Sequence, residues 1–523
     1  MPTSSPDRAH KNGCRDRGGG NTVRPATLRE AKELEPASAF VSIRQLYHAS
    51  IISRDSSAMA FQYPVYSERM TPFDLLMPNA YLSALLVFET THSAADVLPK
   101  LQSSLAEVCT RITWLVGSVF AIPAVGDTKP GYEIRWTDAD YGPEILMKGT
   151  LGLSYYSLAA MHMPPSKIHR AMWPVANAAP LGVGAEAEPR SPVFAASLFD
   201  FHGGGAIGLC VQMHHYAADA YAFAEVIKAW ACAMRKVELP SFVSHLNRNA
   251  RLARALRQSE ARSGAEGLNF EDLLGRHPEL STIAPKEATG PAIPNCVSSL
   301  LRIPMTVIEA WKARADLMAS VTPDTIAGAL LWCWITQVRK LRDPDLGVKM
   351  ARLPTLVNGR KALHPDLNIS DDPYLGNLTL FSIAEMPVVE LCDGFREDEP
   401  WLFAQACHRI ADAQSDICIH AKHIGEVATL LEQTPSVFAG WTPGDSDSLH
   451  FTNWAHMDMY ENNFGMRLGT PKFIRPPYTK ADGTVIILPR GTGEEQAVEV
   501  VLMLREADLV ELKKNFPGQF VGD

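Results

Sequence analysis

The sequence has no run of about eighteen consecutive apolar residues, the length that a membrane-spanning helix needs. Its longest apolar stretch, Ile326 to Ile335, holds roughly ten and suits a buried helix or strand. There is no excess of basic charge either. Acidic residues number 58 against 49 basic ones, for a net charge of −9. A dedicated nucleic-acid binder carries a basic stripe, so that class is excluded. No Cys-x-x-Cys pair occurs among the 9 cysteines, which spread from Cys14 to Cys418. An odd, scattered set of thiols is expected to stay free in a reducing compartment. The opening residues lack the apolar core of a secretory leader, so a cytoplasmic protein is expected. No internal repeat is visible.

What is present is an ordinary globular composition, 46 % hydrophobic and 20 % charged over 523 residues. That length exceeds a single core and predicts at least two domains. Residues 1–40 are polar and rich in Gly, Arg and Ser, and read as a disordered tail. Order is expected from near Val65. A strand over Tyr81–Phe88 precedes a helix over Ser93–Thr110, with Ser93 as N-cap and Ala94, Val97, Leu98, Leu101, Leu105 and Val108 at helical spacing. A further strand is predicted near Trp114–Phe120. Residues 193–213 read as a hairpin turning at Gly203-Gly204-Gly205. A helix to about Arg235 follows, its buried face marked by Phe223, Val226, Ile227, Trp230 and Met234. These elements give an α/β class with mixed sheets and a first domain over 65–237. Residues 238–297, with several arginines and then a Pro/Ala/Thr-rich stretch, read as a linker with some exposed helix. The second domain is expected over 298–523, opened by the strand-like Leu300–Met305 and a helix over Thr322–Val338.

Three local patterns invite chemistry. His214-His215-Tyr216-Ala217-Ala218-Asp219-Ala220 lies where a strand ends and a helix begins. An imidazole there can project into a cleft and take a proton near neutral pH, and a carboxylate is favoured at a helix start. His202-Gly203-Gly204-Gly205 imitates an esterase oxyanion loop, but no Gly-x-Ser-x-Gly elbow accompanies it, and Gly444-Asp445-Ser446 sits in a polar loop. Cys407, His408, Cys418, His420 and His423 lack the close, regular spacing of a zinc site. They read as partly exposed residues on a helix, and no metal is expected.

Further segments fall in a fixed order along the chain. They are Met70-Thr71-Pro72-Phe73-Asp74, the His214–Ala220 stretch, Thr322-Pro323-Asp324-Thr325-Ile326-Ala327-Gly328-Ala329-Leu330-Leu331-Trp332, Val357-Asn358-Gly359-Arg360 with Tyr374-Leu375-Gly376-Asn377, Thr452-Asn453-Trp454, and Asn463-Phe464-Gly465-Met466-Arg467-Leu468-Gly469-Thr470-Pro471. In this order, over about residues 65–515, they resemble the BAHD superfamily of acyl-CoA-dependent acyltransferases, and within it the fungal trichothecene 3-O-acetyltransferase branch. The resemblance implies a two-domain chloramphenicol-acetyltransferase-like fold with an interdomain channel. It implies His215 as general base, Thr452 as oxyanion donor and Trp454 as channel wall. Asp219 would point away from the channel and pair with Arg360. His214, Asn463, Phe464 and Gly465 would be structural. Acyl-CoA, most often acetyl-CoA in the family, would be a cosubstrate with no permanently bound cofactor. The partner would be a small-molecule acceptor such as a terpenoid, alkaloid or polyketide alcohol, and the protein a monomer. Two positions depart from the pattern: Ala220 stands where the family has glycine, and Asn463 where it has aspartate. They define an alternative, a non-catalytic binding relative. A condensation or cyclisation catalyst using the same histidine is a second alternative.

Overall fold

The computed structural model describes residues 65–523 except 124–130, 138–141, 176–190, 243–247, 284–294, 319, 395–398, 435–436, 441–446, 492–496, 516–519 and 522–523. The tail expected over 1–40 and the Gly444–Ser446 segment lie outside the described residues.

The glycine hairpin forms the middle of the first sheet. Strands Phe194–His202 and Ala206–His214 pair antiparallel about Gly203, Gly204 and Gly205, with φ of 77°, 75° and 86°. Only glycine adopts three such angles in succession without strain. Every residue of Ala206–His214 is buried. Tyr81–Glu89 pairs along its other side, and Ile145–Ser154 runs parallel to Phe194–His202. The remaining edge is Phe473–Arg475, which arrives from late in the chain and pairs antiparallel with Tyr81–Glu89. Helices Ala94–Arg111 and Ala220–Met234 cover one face. Val97, Leu101 and Leu105 meet Phe223, Val226 and Trp230 in a shared core. Ser93 caps the first helix through a reciprocal pair of hydrogen bonds with Asp96, as its position predicts. The strand predicted near Trp114–Phe120 is instead a single 3₁₀ turn, Thr113–Val116, followed by strand Ser118–Ile122. Gly117 makes the break, where the backbone comes so close that a Cβ would lie 2.7 Å from the Arg135 carbonyl oxygen.

A seven-stranded sheet organises the second half in the order Thr379–Pro387, Met350–Asn358, His450–Asn453, Thr484–Ile487, Ala497–Arg505, Cys296–Pro304 and Phe520–Val521. Helix Pro323–Arg342 packs against it with fifteen of twenty residues buried. A helix apolar on all sides belongs in an interior, which is why its apolar pattern runs beyond a single stripe.

The stretch expected as a linker is built into the protein. Helices Arg248–Gln258 and Phe270–Arg276 place Leu252, Leu256 and Leu273 against Ile424, Val427 and Leu431 of helix Ala421–Gln433. In sequence, two leucines four apart among arginines give too weak a stripe to announce this packing. No helix among the described residues is long and apolar enough to cross a membrane.

Gly208 faces Phe199 across the hairpin, and a Cβ there would lie 2.2 Å from the ring. Phe199 is fully buried among Leu85, Val87 and Phe201 and has no room to yield. Gly208→Ala is therefore expected to cost about 1–3 kcal/mol, the usual range for overpacking, measured as a shift in urea midpoint.

Candidate active site

Strand Ala206–His214 ends at the surface of its own core, and the chain turns at once into helix Ala220–Met234. The turn is fixed from both sides. His215 N donates to Ala80 O at 2.8 Å, Tyr216 N to His214 Nδ1 at 3.2 Å, and Ala217 N to His214 O at 2.9 Å. Its carbonyls are also held. Asn377 Nδ2 donates to His215 O at 2.9 Å and Tyr216 O at 3.3 Å, and Arg248 Nη1 donates to Ala217 O at 2.6 Å.

Asp219 closes the turn. It is the helix N-cap, and its Oδ1 accepts from Ala222 N at 3.0 Å. Arg360, from the second half, binds it through two parallel bonds, Nη2 to Oδ1 at 2.8 Å and Nη1 to Oδ2 at 2.9 Å. The pairing implied for these residues is thus present, in the bidentate geometry that suits a guanidinium and a carboxylate. Leu378 N at 2.9 Å and Thr379 Oγ1 at 3.2 Å complete the shell of Oδ2. Arg360 spends its other donors on Tyr374 O, Gly376 O and Asn358 Oδ1, and its Cζ lies 4.5 Å from the Tyr221 ring centre. Both side chains are essentially inaccessible to water. Burial alone would raise the Asp219 pKa, but Arg360 and the backbone donors hold it below the ordinary carboxylate value.

His215 itself is only partly buried, yet its Nδ1 is sealed from solvent and has no hydrogen-bond partner among the described residues. Burial holds its pKa below the ordinary imidazole value, against opposing pulls from nearby backbone carbonyls and the Asp219 carboxylate. The ring is neutral at neutral pH, the state of a proton acceptor. His214 is a different kind of residue. It is buried between the rings of Tyr81 and Tyr216, at centroid distances of 5.2 and 5.3 Å, and desolvation pushes its pKa down to about 4.

The other sequence candidates lie on separate supports. Thr452 sits on strand His450–Asn453 opposite Ile486, and the buried Trp454 continues that strand by donating its N–H to Ile487 O at 2.9 Å. Among the described residues neither is hydrogen-bonded to the His215 turn. Asn463 Oδ1 accepts from Gly465 N at 2.7 Å, and Phe464 N donates to Gly469 O at 2.7 Å. Gly465 and Gly469, at φ of 86° and 66°, let the chain double back so that Phe464 packs edge-on against Phe88 and Trp230. The turn lies against the first sheet, where Arg467 also donates to Asp96 O at 2.9 Å. The His202–Gly205 imitation of an esterase loop is a hairpin tip. The scattered Cys/His set does not converge, since Cys407 is in the second core and Cys418 is exposed.

Three supporting residues carry no chemical signature of their own in the sequence. Asp74 accepts from Asn377 N at 3.1 Å and Nδ2 at 2.8 Å, and its other oxygen accepts from Thr71 N and Oγ1. Asp74 and Asn377 were legible only as members of recurrent segments. Arg248, buried over the Trp114 ring at 4.5 Å and paired with Glu68, was hidden in a run of arginines.

Removing the charge of Asp219 would strand the Arg360 guanidinium in the interior. Asp219→Asn is expected to lower stability by about 3–5 kcal/mol, the usual cost of a broken buried pair, measured by chemical denaturation. Arg360→Met should be equally damaging because it strands the carboxylate. If either variant unfolds at the wild-type midpoint, the pair does not have this structural role.

A sequence profile described as the Transferase family matches residues 174–518. The O-acetyltransferase ptmV of Penicillium ochrochloron is 21 % identical over 485 residues, covering 85 % of this chain and 94 % of its own. The crystal structure of F. graminearum TRI101 complexed with coenzyme A and deoxynivalenol superposes with a TM-score of 0.70 at 16 % identity, covering 87 % of this chain and 100 % of its own. Vinorine synthase superposes with a TM-score of 0.56 at 16 % identity, covering 90 % of this chain and 96 % of its own. At such identities the structural likeness establishes the fold, and the profile match over more than half of the chain establishes the family. The chain belongs to the Transferase family, the BAHD acyl-CoA-dependent acyltransferases, and has their two-domain chloramphenicol-acetyltransferase-like fold.

Proposed function

We propose that this protein transfers an acetyl group from acetyl-CoA to a hydroxyl of a secondary metabolite such as a terpenoid, alkaloid or polyketide, with His215 as general base. The observation that carries the reading is the His215 turn: a neutral imidazole with one nitrogen sealed inside, on a backbone whose carbonyls and neighbouring carboxylate are all tied down. The relatives named O-acetyltransferases, and the TRI101 structures with coenzyme A and with T-2 mycotoxin or deoxynivalenol, support the donor and the acceptor class.

In this reading both substrates meet in a channel between the two halves. Nε2, the ring nitrogen opposite the sealed Nδ1, takes the proton of the acceptor hydroxyl as its oxygen attacks the thioester carbonyl carbon. The carbonyl π electrons move to oxygen, and the Thr452 hydroxyl donates a hydrogen bond to that oxyanion while Trp454 forms the wall. Collapse re-forms the carbonyl, breaks the carbon–sulfur bond and expels the CoA thiolate, which receives the proton from the imidazolium. No acyl-enzyme is needed, because holding both reactants in one site already supplies much of the rate. Asp219 takes no part in proton transfer, since Arg360 and the backbone use all of its acceptor capacity.

The two departures from the family pattern are accommodated by the fold. Ala220 opens its helix without a positive φ, so a side chain is accepted there without strain. Asn463 makes its turn with the side-chain oxygen, an acceptor that aspartate would supply in the same place. All eight described cysteines are free thiols, which supports a reducing, cytoplasmic setting. One chain supplies every group invoked, in keeping with a monomer.

Incubation of the pure protein with acetyl-CoA and a panel of hydroxylated metabolites, followed by free-thiol release and product mass, tests the activity. His215→Ala is expected to retain less than about a hundredth of the rate, the usual scale of general-base catalysis. Undiminished turnover would reject the assignment. Because the base works when neutral and its pKa is depressed, the acidic limb of kcat/KM should lie below the ordinary imidazole value of about 6.5. A limb above that value would mean that a different group titrates.

A further inference from the structure

Away from the acyl-transfer site, two segments far apart in sequence bring nitrogen and oxygen ligands to one point. His277 follows helix Phe270–Arg276, Glu279 precedes the short strand Leu280–Ser281, and His423 lies in the first turn of helix Ala421–Gln433. One ligand atom from each lies within 4.8 Å of the other two. His277 Nδ1 is 2.8 Å from Glu279 Oε1, and His423 Nε2 is 3.3 Å from the same oxygen. His277 and Glu279 are buried, and His423 is largely so.

The backbone holds these groups in place. Leu280 N donates to His277 O and Gly440 N to Glu279 O, each at 2.9 Å. His420 caps the second helix, its Nδ1 accepting from His423 N at 3.1 Å. The outer nitrogen of His277, Nε2, lies 3.2 Å from Glu426 Oε2, and Glu426 is in turn fixed by Arg276 at 2.8 Å. An Nε2–H donated to Glu426 leaves the Nδ1 lone pair facing Glu279. That is the arrangement by which a carboxylate orients a metal-binding histidine.

A positive centre between these facing lone pairs would satisfy them together. A proton on His277 Nδ1 would satisfy its contact with Glu279 and nothing else. His423 Nε2 is buried and, despite its nearness to Glu279, lacks the alignment of a hydrogen bond. A single cation would satisfy all three atoms. Two imidazoles and one carboxylate suit zinc, with a fourth position for water, whereas calcium and magnesium take oxygen ligands.

We propose that His277, Glu279 and His423 form a zinc site that clips helix Ala421–Gln433 to the 277–281 segment, with Glu426 as the orienting partner of His277. The site is independent of the acyl-transfer reading and involves none of its residues. It was beyond sequence inspection because His277 and Glu279 lie in the stretch read as a linker, far from His423.

The test uses the full chain, freed of any affinity tag and stripped with a chelator. Zinc chloride is titrated against a chromophoric competitor, and thermal unfolding is followed with and without the ion. Roughly one zinc per chain is expected, bound more tightly than micromolar, with a rise in Tm of a few degrees that magnesium does not reproduce. His423→Gln and Glu279→Gln should each weaken binding at least about tenfold, and Glu426→Gln about 10–100-fold through His277, all with CoA release from acetyl-CoA unchanged. No binding by the wild-type chain at micromolar zinc, with Tm unmoved, overturns the proposal whatever the variants do. Stoichiometric binding that survives both His423→Gln and Glu279→Gln also overturns it, because the ion is then held elsewhere.

Discussion

The buried pair of Asp219 and Arg360 is the constraint on which the site depends. Two opposite charges removed from water are costly, and their attraction offsets that cost only when every remaining donor and acceptor is met. Here they are met by chain segments that are remote from one another: the N-terminus of helix Ala220–Met234, the strand end at Asn358, the Tyr374–Gly376 carbonyls and the amide of Leu378. The pair is therefore satisfied only when both halves are folded and docked. It specifies one arrangement of the halves and, through the three residues between Asp219 and His215, one placement of the imidazole.

A second link runs in parallel and carries no net ion pair. Thr71 and Asp74 cap a short helix near the start of the described chain, Asp74 holds Asn377, and Asn377 holds the carbonyls of His215 and Tyr216. Arg248 adds a third attachment at Ala217. The His215 turn is thus fixed at successive peptide groups. This rigidity leaves the imidazole little freedom to abandon its position, and it explains how a loop can hold a side chain as firmly as a strand would.

Chain order and spatial order differ in this protein. The Asn463–Arg475 region lies late in the sequence, yet Phe464, Leu468 and Ile474 belong to the core of the first half, and Phe473–Arg475 is an edge strand of its sheet. Arg475, fully buried, donates to the carbonyls of His162 and Met163 on that side and pairs with Glu499 of the second sheet. The two halves are joined by a strand crossing from one to the other as well as by the pair at the site.

By itself the sequence determined what depends on local spacing and local chemistry. The glycine hairpin, the Ser93-capped helix, the strand-to-helix transition at His214–Ala220 and the apolar helix after Thr322 follow from turn residues, caps and periodicity, which act over a few residues. The ordered segments determined the family, and through it the pairing of Asp219 with Arg360, which no local rule could supply. Only the tertiary structure decided the rest. Arg248, Leu252 and Leu273 look like parts of a polar connection until the helices that they cover are in place. Asp74 and Asn377 acquire a role only when segments about 300 residues apart come within hydrogen-bond reach. The depressed pKa of His215 has the same origin, because desolvation belongs to the assembled interior and to no stretch of sequence.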